Sequence, residues 1–244
     1  MSKLDGKVAV VIGGGTGIGL GCARALAESG CQVVIAGRRE QVLKQAVEQS
    51  GGTSPMRHHV VDTASRESVK TLFGWVRQEL GQTDIMVNSA AINIVDRTMS
   101  RMKPEQWDQI LQINTTGVYN CMQAVLPEMR ERHDGVIINI GSIAGKRAAD
   151  LGGVAYNASK FAVTALGTSV GNEDGRHGIR VTTVQPGEVN TPLLEQRPEP
   201  VSEERRATML QPEDVGQVVA MIAGLPVRAH IPEVVVKPLN QGFV

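Results

Sequence analysis

The sequence predicts an α/β fold: a doubly wound parallel β-sheet of about seven strands, flanked by helices on both faces. Three observations predict it. Short β-branched runs recur along the 244-residue chain, longer amphipathic stretches separate them, and the first run leads directly into a glycine-rich turn. The runs are VAVVI at 8–12, QVVIA at 32–36, HHVVD at 58–62, DIMVN at 84–88, GVIINI at 135–140, IRVTTV at 179–184 and a short VVVK at 234–237. Continuous apolar runs of this kind suit strands buried on both faces, as in a parallel sheet covered by helices. Helix candidates lie between them at about 18–29, 39–50, 65–80, 104–132, 154–174 and 211–223, with Pro104 and Pro212 near helix starts, where a proline N–H is not missed. These spacers are long enough for crossover helices, and their length excludes a sandwich.

The alternation runs without an internal repeat, low-complexity tract or linker, so residues 1–244 read as a single domain. The one irregular stretch is about 187–210, GEVNTPLLEQRPEPVSEERRATML, rich in proline and charge after the sixth strand. A substrate loop is expected there. Because 25 Lys and Arg balance 25 Asp and Glu, there is no basic field to attract nucleic acid or an anionic membrane. No apolar run approaches the roughly 20 residues of a membrane span, and the opening MSKLDGK lacks the apolar core of a secretory signal. A soluble, cytoplasmic protein is expected. Cys22, Cys31 and Cys121 are odd in number and widely spaced, without a CxxC or Cys/His cluster, which argues against a disulfide framework or a metal site. Glycine is abundant, with 27 residues, about 11% against a usual 7%. Aromatic residues are scarce, and only Tyr119 and Tyr156 are tyrosines.

The glycines concentrate at Gly13-Gly14-Gly15-Thr16-Gly17-Ile18-Gly19, between the first strand and the first helix. There Gly13 permits a tight turn, Gly17 lets the backbone approach a pyrophosphate, and Gly19 allows close packing of helix on strand, while the helix N-terminus offers N–H groups to the anion. Gly15, Thr16 and Ile18 belong to the same turn. The second strand ends at Ala36-Gly37, followed by Arg38-Arg39. An acidic residue in this place binds the ribose hydroxyls of NAD, whereas arginine accommodates the 2′-phosphate of NADP. With Gly37 where the carboxylate would be, Arg38 favours NADP(H) over NAD(H), unless both arginines are solvated residues at a helix start. Asp62 is a candidate for the adenine amino group or a strand-end turn residue.

Tyr156-Asn157-Ala158-Ser159-Lys160 puts Tyr156 and Lys160 four apart on one helix face. A phenol with a pKa near 10 is a poor acid or base at neutral pH, and an adjacent ammonium brings it toward the working range by stabilising the phenolate. Together, the GGGTGIG turn, the serine of GSIAG at 141–145 and YNASK at 156–160 resemble the classical short-chain dehydrogenase/reductases, whose sheet is of Rossmann type. The resemblance covers about residues 5–240. Asn114 in QINTTGVYN matches the family's catalytic asparagine, Asn88-Ser89-Ala90-Ala91 its strand-end segment, and Pro186-Gly187 followed by Val189-Asn190-Thr191 the segment bordering the nicotinamide.

The resemblance implies that Tyr156 is the general acid in carbonyl reduction and the general base in alcohol oxidation. Ser142 would hold the substrate oxygen, Lys160 the nicotinamide ribose and the Tyr156 pKa, and Asn114 the water of a proton relay. Asn88, Ala90, Pro186, Gly187 and Val189 would border the cofactor. Thr191 would contact the carboxamide or serve as a helix N-cap before Pro192. Hydride comes from the cofactor, so no metal is required. Ile12, Ser89 and Ala91 depart from the family pattern beside the cofactor, and Thr16 replaces the basic residue of some NADP-dependent members. Arg147, Arg197, Arg205 and Arg206 permit a carboxylate-bearing substrate or are merely solvated. The ending AHIPEVVVKPLNQ resembles broad-specificity NADP-dependent reductases of small hydroxy acids, aldehydes and ketones. The long helices resemble those that form homodimers or homotetramers. A catalytically silent nucleotide-sensing or scaffold protein of the same fold is the alternative. Retention of Asn114, Ser142, Tyr156 and Lys160 disfavours it, since a sensor has no use for the phenol.

Overall fold

In β1 (Val8–Ile12) every residue is buried, yet its side chains divide by parity. Val8, Val10 and Ile12 join one apolar cluster, and Ala9 and Val11 join the other. A strand that is apolar on both faces needs cover on both. The computed structural model, which describes residues 4–50 and 56–242, meets this condition with helices on either side. One side carries α1 (Gly17–Glu28), α2 (Glu40–Glu48) and α8 (Pro212–Ala223). The other carries α3 (Arg66–Leu80), α5 (Gly117–Arg132) and α6 (Val154–Asp174). Cys22, Cys31 and Cys121 are free thiols buried in these clusters, and burial pushes each up to about 12.

The remaining strands are β2 (Gln32–Gly37), β3 (Arg57–Val60), β4 (Ile85–Asn88), β5 (Gly135–Ile140), β6 (Ile179–Pro186) and β7 (Glu233–Val236). All seven lie parallel in one sheet of order β3-β2-β1-β4-β5-β6-β7. The chain winds outward from β1 to β3 and then returns to place β4 on the other side of β1. The connections therefore leave β1 and β4 in opposite directions, and a crevice opens at their carboxyl ends. At the other end of the same pair, buried Asp84 accepts from the Val8 N–H at 2.9 Å and from Lys7 Nζ at 2.8 Å, which holds the β1–β4 register under the crevice.

Three segments differ from expectation. The stretch 104–132 is not one regular helix: α4 (Pro104–Leu111) and α5 are joined by a π-helical turn at Gln112–Thr116. The third strand ends at Val60 rather than Asp62. The Asp62 N–H donates to Ser68 Oγ at 3.0 Å and its carboxylate accepts from the Ala64 N–H at 3.0 Å, so a local turn outcompetes the ladder. The stretch 187–210 is not structureless. Pro192 opens a 3₁₀ turn at Pro192–Gln196, and Ser202 Oγ caps α7 (Glu203–Ala207) by accepting from the Arg205 N–H at 3.2 Å.

Part of the glycine excess serves helix packing. At the crossing of α1 and α8, a Cβ on Gly216 would fall on the carbonyl oxygen of Gly21, and one on Gly21 would fall on that of Pro212. Gly216→Ala gains about 1 kcal/mol of helix propensity but forces two backbones apart, an overpacking that costs about 1–3 kcal/mol. The expected outcome is a net loss and a thermal midpoint lower by about 2–6 °C, read by thermal denaturation. An unchanged or raised midpoint would mean that the helices do not meet at these glycines.

Candidate active site

The turn after β1 is shaped by how closely it meets the segment after β4. Gly13 has a φ of 76°, and its N–H donates to Ala36 O at 2.7 Å. A Cβ there would come within 2.7 Å of the Ala90 nitrogen. The Ser89 N–H donates to Ile12 O at 2.9 Å, and Ile12 fills the apolar cluster that Ala90 also touches. The departures at Ile12 and Ser89 are therefore accommodated by apolar packing and a main-chain bond.

Gly15, Thr16, Gly17 and Ile18 lead into α1. Thr16 is its N-cap, but no side chain caps the helix and the first turn holds no acid. The leading N–H groups thus lack a side-chain acceptor, as an anion site requires. Nearby, Asn88 donates from Nδ2 to Asn139 Oδ1 at 2.9 Å, while its own buried Oδ1 has no partner. At the end of β2, Arg38 is exposed and makes no hydrogen bond or ion pair among the described residues. A Cβ on Gly37 would meet only Leu43 Cδ2, at 3.8 Å, so the missing carboxylate is not excluded by space. Asp62 is exposed, with one carboxylate oxygen committed to Ala64.

The reactive cluster gathers where β5 ends and α6 begins. Tyr156 lies in the first turn of α6 and Lys160 one turn on. Lys160 is buried, its Nζ donates to Ile140 O at 2.8 Å, and it stands 5.6 Å from the Tyr156 ring centroid. Removal from water pushes its ammonium down to about 8. Ser142 follows β5. Its N–H donates to Gln185 Oε1 at 2.8 Å, its Oγ accepts from the Ala144 N–H at 3.1 Å, and it lines the same cavity as Tyr156. Burial pushes the Tyr156 phenol above its ordinary value, opposed by the Ser142 side chain and by the Arg97 charge.

Asn114 sits in the π-helical turn, a distortion that often marks functional positions. Its Oδ1 accepts from the Ile92 N–H at 2.8 Å, and its Nδ2 donates to Ile92 O at 2.9 Å and to Ser159 Oγ at 3.1 Å. Ser159 Oγ in turn donates to Tyr156 O at 2.8 Å. Asn114 is thus coupled to the backbone of Tyr156 through Ser159. From the end of β6, Val189 is buried and bridges to Leu210. Thr191 occupies an N-cap position without making a capping bond, and a Cβ on Gly17 would lie 3.2 Å from its Cβ. One cavity is lined by Ile18, Ser142, Tyr156, Pro186, Gly187, Val189 and Thr191, while Arg38 and Asp62 lie outside it.

Residues 7–202 match the short chain dehydrogenase family. The chain belongs to that family. An uncharacterized oxidoreductase of Staphylococcus saprophyticus is 32% identical over 241 residues, covering 98% of this chain and 100% of the relative. A farnesol dehydrogenase of Aedes aegypti is 32% identical over 249 residues and covers 100% of both chains. Among solved structures, a metagenomic short-chain oxidoreductase in complex with NADP superimposes with a TM-score of 0.84 at 31% identity, over 98% of this chain and 100% of that one. This short-chain dehydrogenase is accordingly an oxidoreductase with a Rossmann-like sheet.

Three polar residues of the site were not legible in the family motifs. Ser159 lies inside YNASK yet links Asn114 to Tyr156, and Gln185, a polar residue inside an apolar strand, was a visible signal. Arg97 had none: it follows the Ile92–Val95 segment as an apparent loop cation, yet it is buried and lines the cavity. Of the arginines singled out in the sequence, Arg197 and Arg205 share Glu188 at 2.8 and 2.9 Å. Arg206 donates to Asn190 Oδ1 at 3.2 Å, and Arg147 lines the cavity.

The low value at Lys160 has a consequence for stability. Unfolded, the ammonium keeps its proton up to its ordinary value of 10.5, whereas folded it releases it above about 8. Unfolding therefore takes up a proton between those values, and stability rises with pH across the window, by about 3 kcal/mol in full. Lys160→Met removes the titrating group without opening a cavity. Thermal midpoints of the two proteins from pH 7 to 10 should show the wild type gaining on the variant as pH rises; a constant difference would contradict the depressed ammonium.

Proposed function

We propose that this chain is an NADP(H)-dependent oxidoreductase that interconverts a carbonyl and an alcohol on a small molecule, with Tyr156 as general acid in reduction and general base in oxidation. The observation that carries this reading is the apposition of Ser142 and the Tyr156 phenol on one cavity wall. The cavity also reaches Ile18, Gly187 and Thr191. The uncapped start of α1, the unpartnered Asn88 Oδ1 and the unpaired Arg38 fit a dinucleotide bearing a 2′-phosphate. When bound, the nicotinamide supplies or accepts the hydride.

The chain's own residues supply the remaining steps. Ser142, its backbone held by Gln185, donates to the substrate oxygen and keeps it against the phenol. Tyr156 gives its proton to that oxygen as negative charge develops there, and takes it back in oxidation. One of the three N–H donors of Lys160 reaches Ile140 O, which leaves two for ribose hydroxyls. Its positive charge favours the phenolate. Asn114 fixes Ile92 and, through Ser159, the Tyr156 backbone, and would hold the water of a proton relay from Lys160. Thr191, free of a capping bond, would hold the carboxamide, and the segment 187–210 would cover the substrate. Trp107, Tyr119 and Phe161 are exposed on α4, α5 and α6, which supports a homodimer or homotetramer assembled through these helices.

With NADPH and a panel of aldehydes, ketones and oxo acids, Tyr156→Phe is expected to lower kcat by about 100- to 10,000-fold with NADPH binding intact. Undiminished turnover would remove Tyr156 from the proton transfer. NADPH binding without turnover by either protein would favour a nucleotide sensor.

Cofactor choice is tested separately by fluorescence titration. Arg38→Ala should weaken NADPH binding by about 10- to 100-fold and leave NADH unchanged, and Gly37→Asp should shift preference toward NADH. Equal loss for both nucleotides would sink the 2′-phosphate role.

A further inference from the structure

The cavity beside Tyr156 is unbalanced in charge. Arg97, Lys146, Arg147 and Arg197 line it against a single carboxylate, Glu188. Glu188 already serves two arginines through one oxygen, Arg197 at 2.8 Å and Arg205 at 2.9 Å. Lys146 is paired at 2.7 Å with Glu233. Arg97 is different. It is only 5% exposed, and no carboxylate stands within ion-pair distance of it among the described residues. Its guanidinium donates to three backbone carbonyls from three segments: Ile94 O at 2.8 Å, Leu151 O at 2.7 Å, and Gln196 O.

Those carbonyls position the group without neutralising it. A guanidinium has five N–H donors, so two remain beyond the three engaged. Its placement also adds to the local positive potential. The Arg97 carbonyl accepts from the Val154 N–H at 3.1 Å, which sets the residue against the first turn of α6, the positive end of that helix. Burial and the neighbouring Arg197 both disfavour its charged form, and only the Tyr156 phenol acts the other way. A buried cation without a counter-ion is among the costliest arrangements in a fold. One that faces a substrate cavity is a site prepared for an anion.

We propose that Arg97 is the anion-recognition residue of the substrate cavity, and that the preferred substrates are small oxo and hydroxy acids whose carboxylate meets its guanidinium while the reacting carbon sits at Ser142 and Tyr156. The inference rests on the carbonyl–alcohol reading above for the identity of the reacting group. The anion itself is recognised by charge-assisted, paired N–H donation, the geometry in which arginine differs from lysine. Arg97 takes the part that the sequence alone left open among Arg147, Arg197, Arg205 and Arg206.

The test uses carboxylates and their neutral amides. With NADPH, kcat/KM for acetoacetate and succinic semialdehyde is expected to exceed that for the corresponding amides by about 10- to 100-fold. Arg97→Gln should erase the preference by lowering acid turnover about 10- to 100-fold more than amide turnover, and Arg97→Lys should restore part of it. A clamp that merely held three loops together would lower acid and amide alike, and that result, or equal turnover of acid and amide by the wild type, would overturn the proposal. The wild-type comparison stands even if Arg97→Gln does not fold. Calorimetric binding of 3-hydroxybutanoate and 3-hydroxybutanamide to the NADP-saturated protein separates the two claims. Acid-selective binding without turnover of any carbonyl would uphold the anion site and overturn the reductase reading. Failure of the acid to bind in preference to the amide would overturn the anion site.

Discussion

The ammonium of Lys160, held out of water against the carbonyl of Ile140, is the interaction on which the reactive centre depends. It ties the helix that carries Tyr156 to the end of the strand that carries Ser142. Burying a charge with a single carbonyl partner is unfavourable, and the depressed ammonium is the direct expression of that penalty. The surrounding polar groups make the arrangement rigid. Gln185 fixes the Ser142 N–H and donates to Thr164 at 2.9 Å and Glu233 at 2.7 Å, while Ser159 and Asn114 hold the first turn of α6 from the other side. A network of buried hydrogen bonds such as this one specifies one geometry, and catalytic positioning requires that.

The sheet order supplies the second half of the site. Because β1 lies between β2 and β4, the turns that leave them separate, and Gly13 and Ala90 meet at the floor of the crevice. The N-terminus of α1 opens there without a side-chain cap. The nucleotide end is thus built from main chain and the reactive end from side chains. This division explains why glycine is concentrated at one end and the polar network at the other. Arg38 and Arg97 then form two cationic outposts, one exposed at the end of β2 and the other buried beside the phenol.

Much of this was legible in the sequence, for identifiable reasons. Strands such as VAVVI and GVIINI are apolar on both faces, so their parallel pairing under two helical layers follows from composition. The glycine turn and YNASK carry their chemistry in local spacing. What escaped depends on partners distant in sequence. The π-helical turn at Gln112–Thr116 leaves no mark in periodicity, yet it faces Asn114 toward Ile92 and Ser159. Asp62 looked like the end of a strand because HHVVD is β-branched, but its bonds to Ser68 and Ala64 end the ladder early. Arg97 meets carbonyls from residues 94, 151 and 196, and only the fold brings those segments together.

Lys160 is a buried, weakened ammonium poised beside Tyr156. The most direct test of this is a nitrogen-detected NMR titration of the lysine-labelled protein, with the Lys160 signal assigned by its loss in Lys160→Met. This ammonium is expected to titrate near 8, apart from the other lysines. Titration at the ordinary value of 10.5 would contradict it.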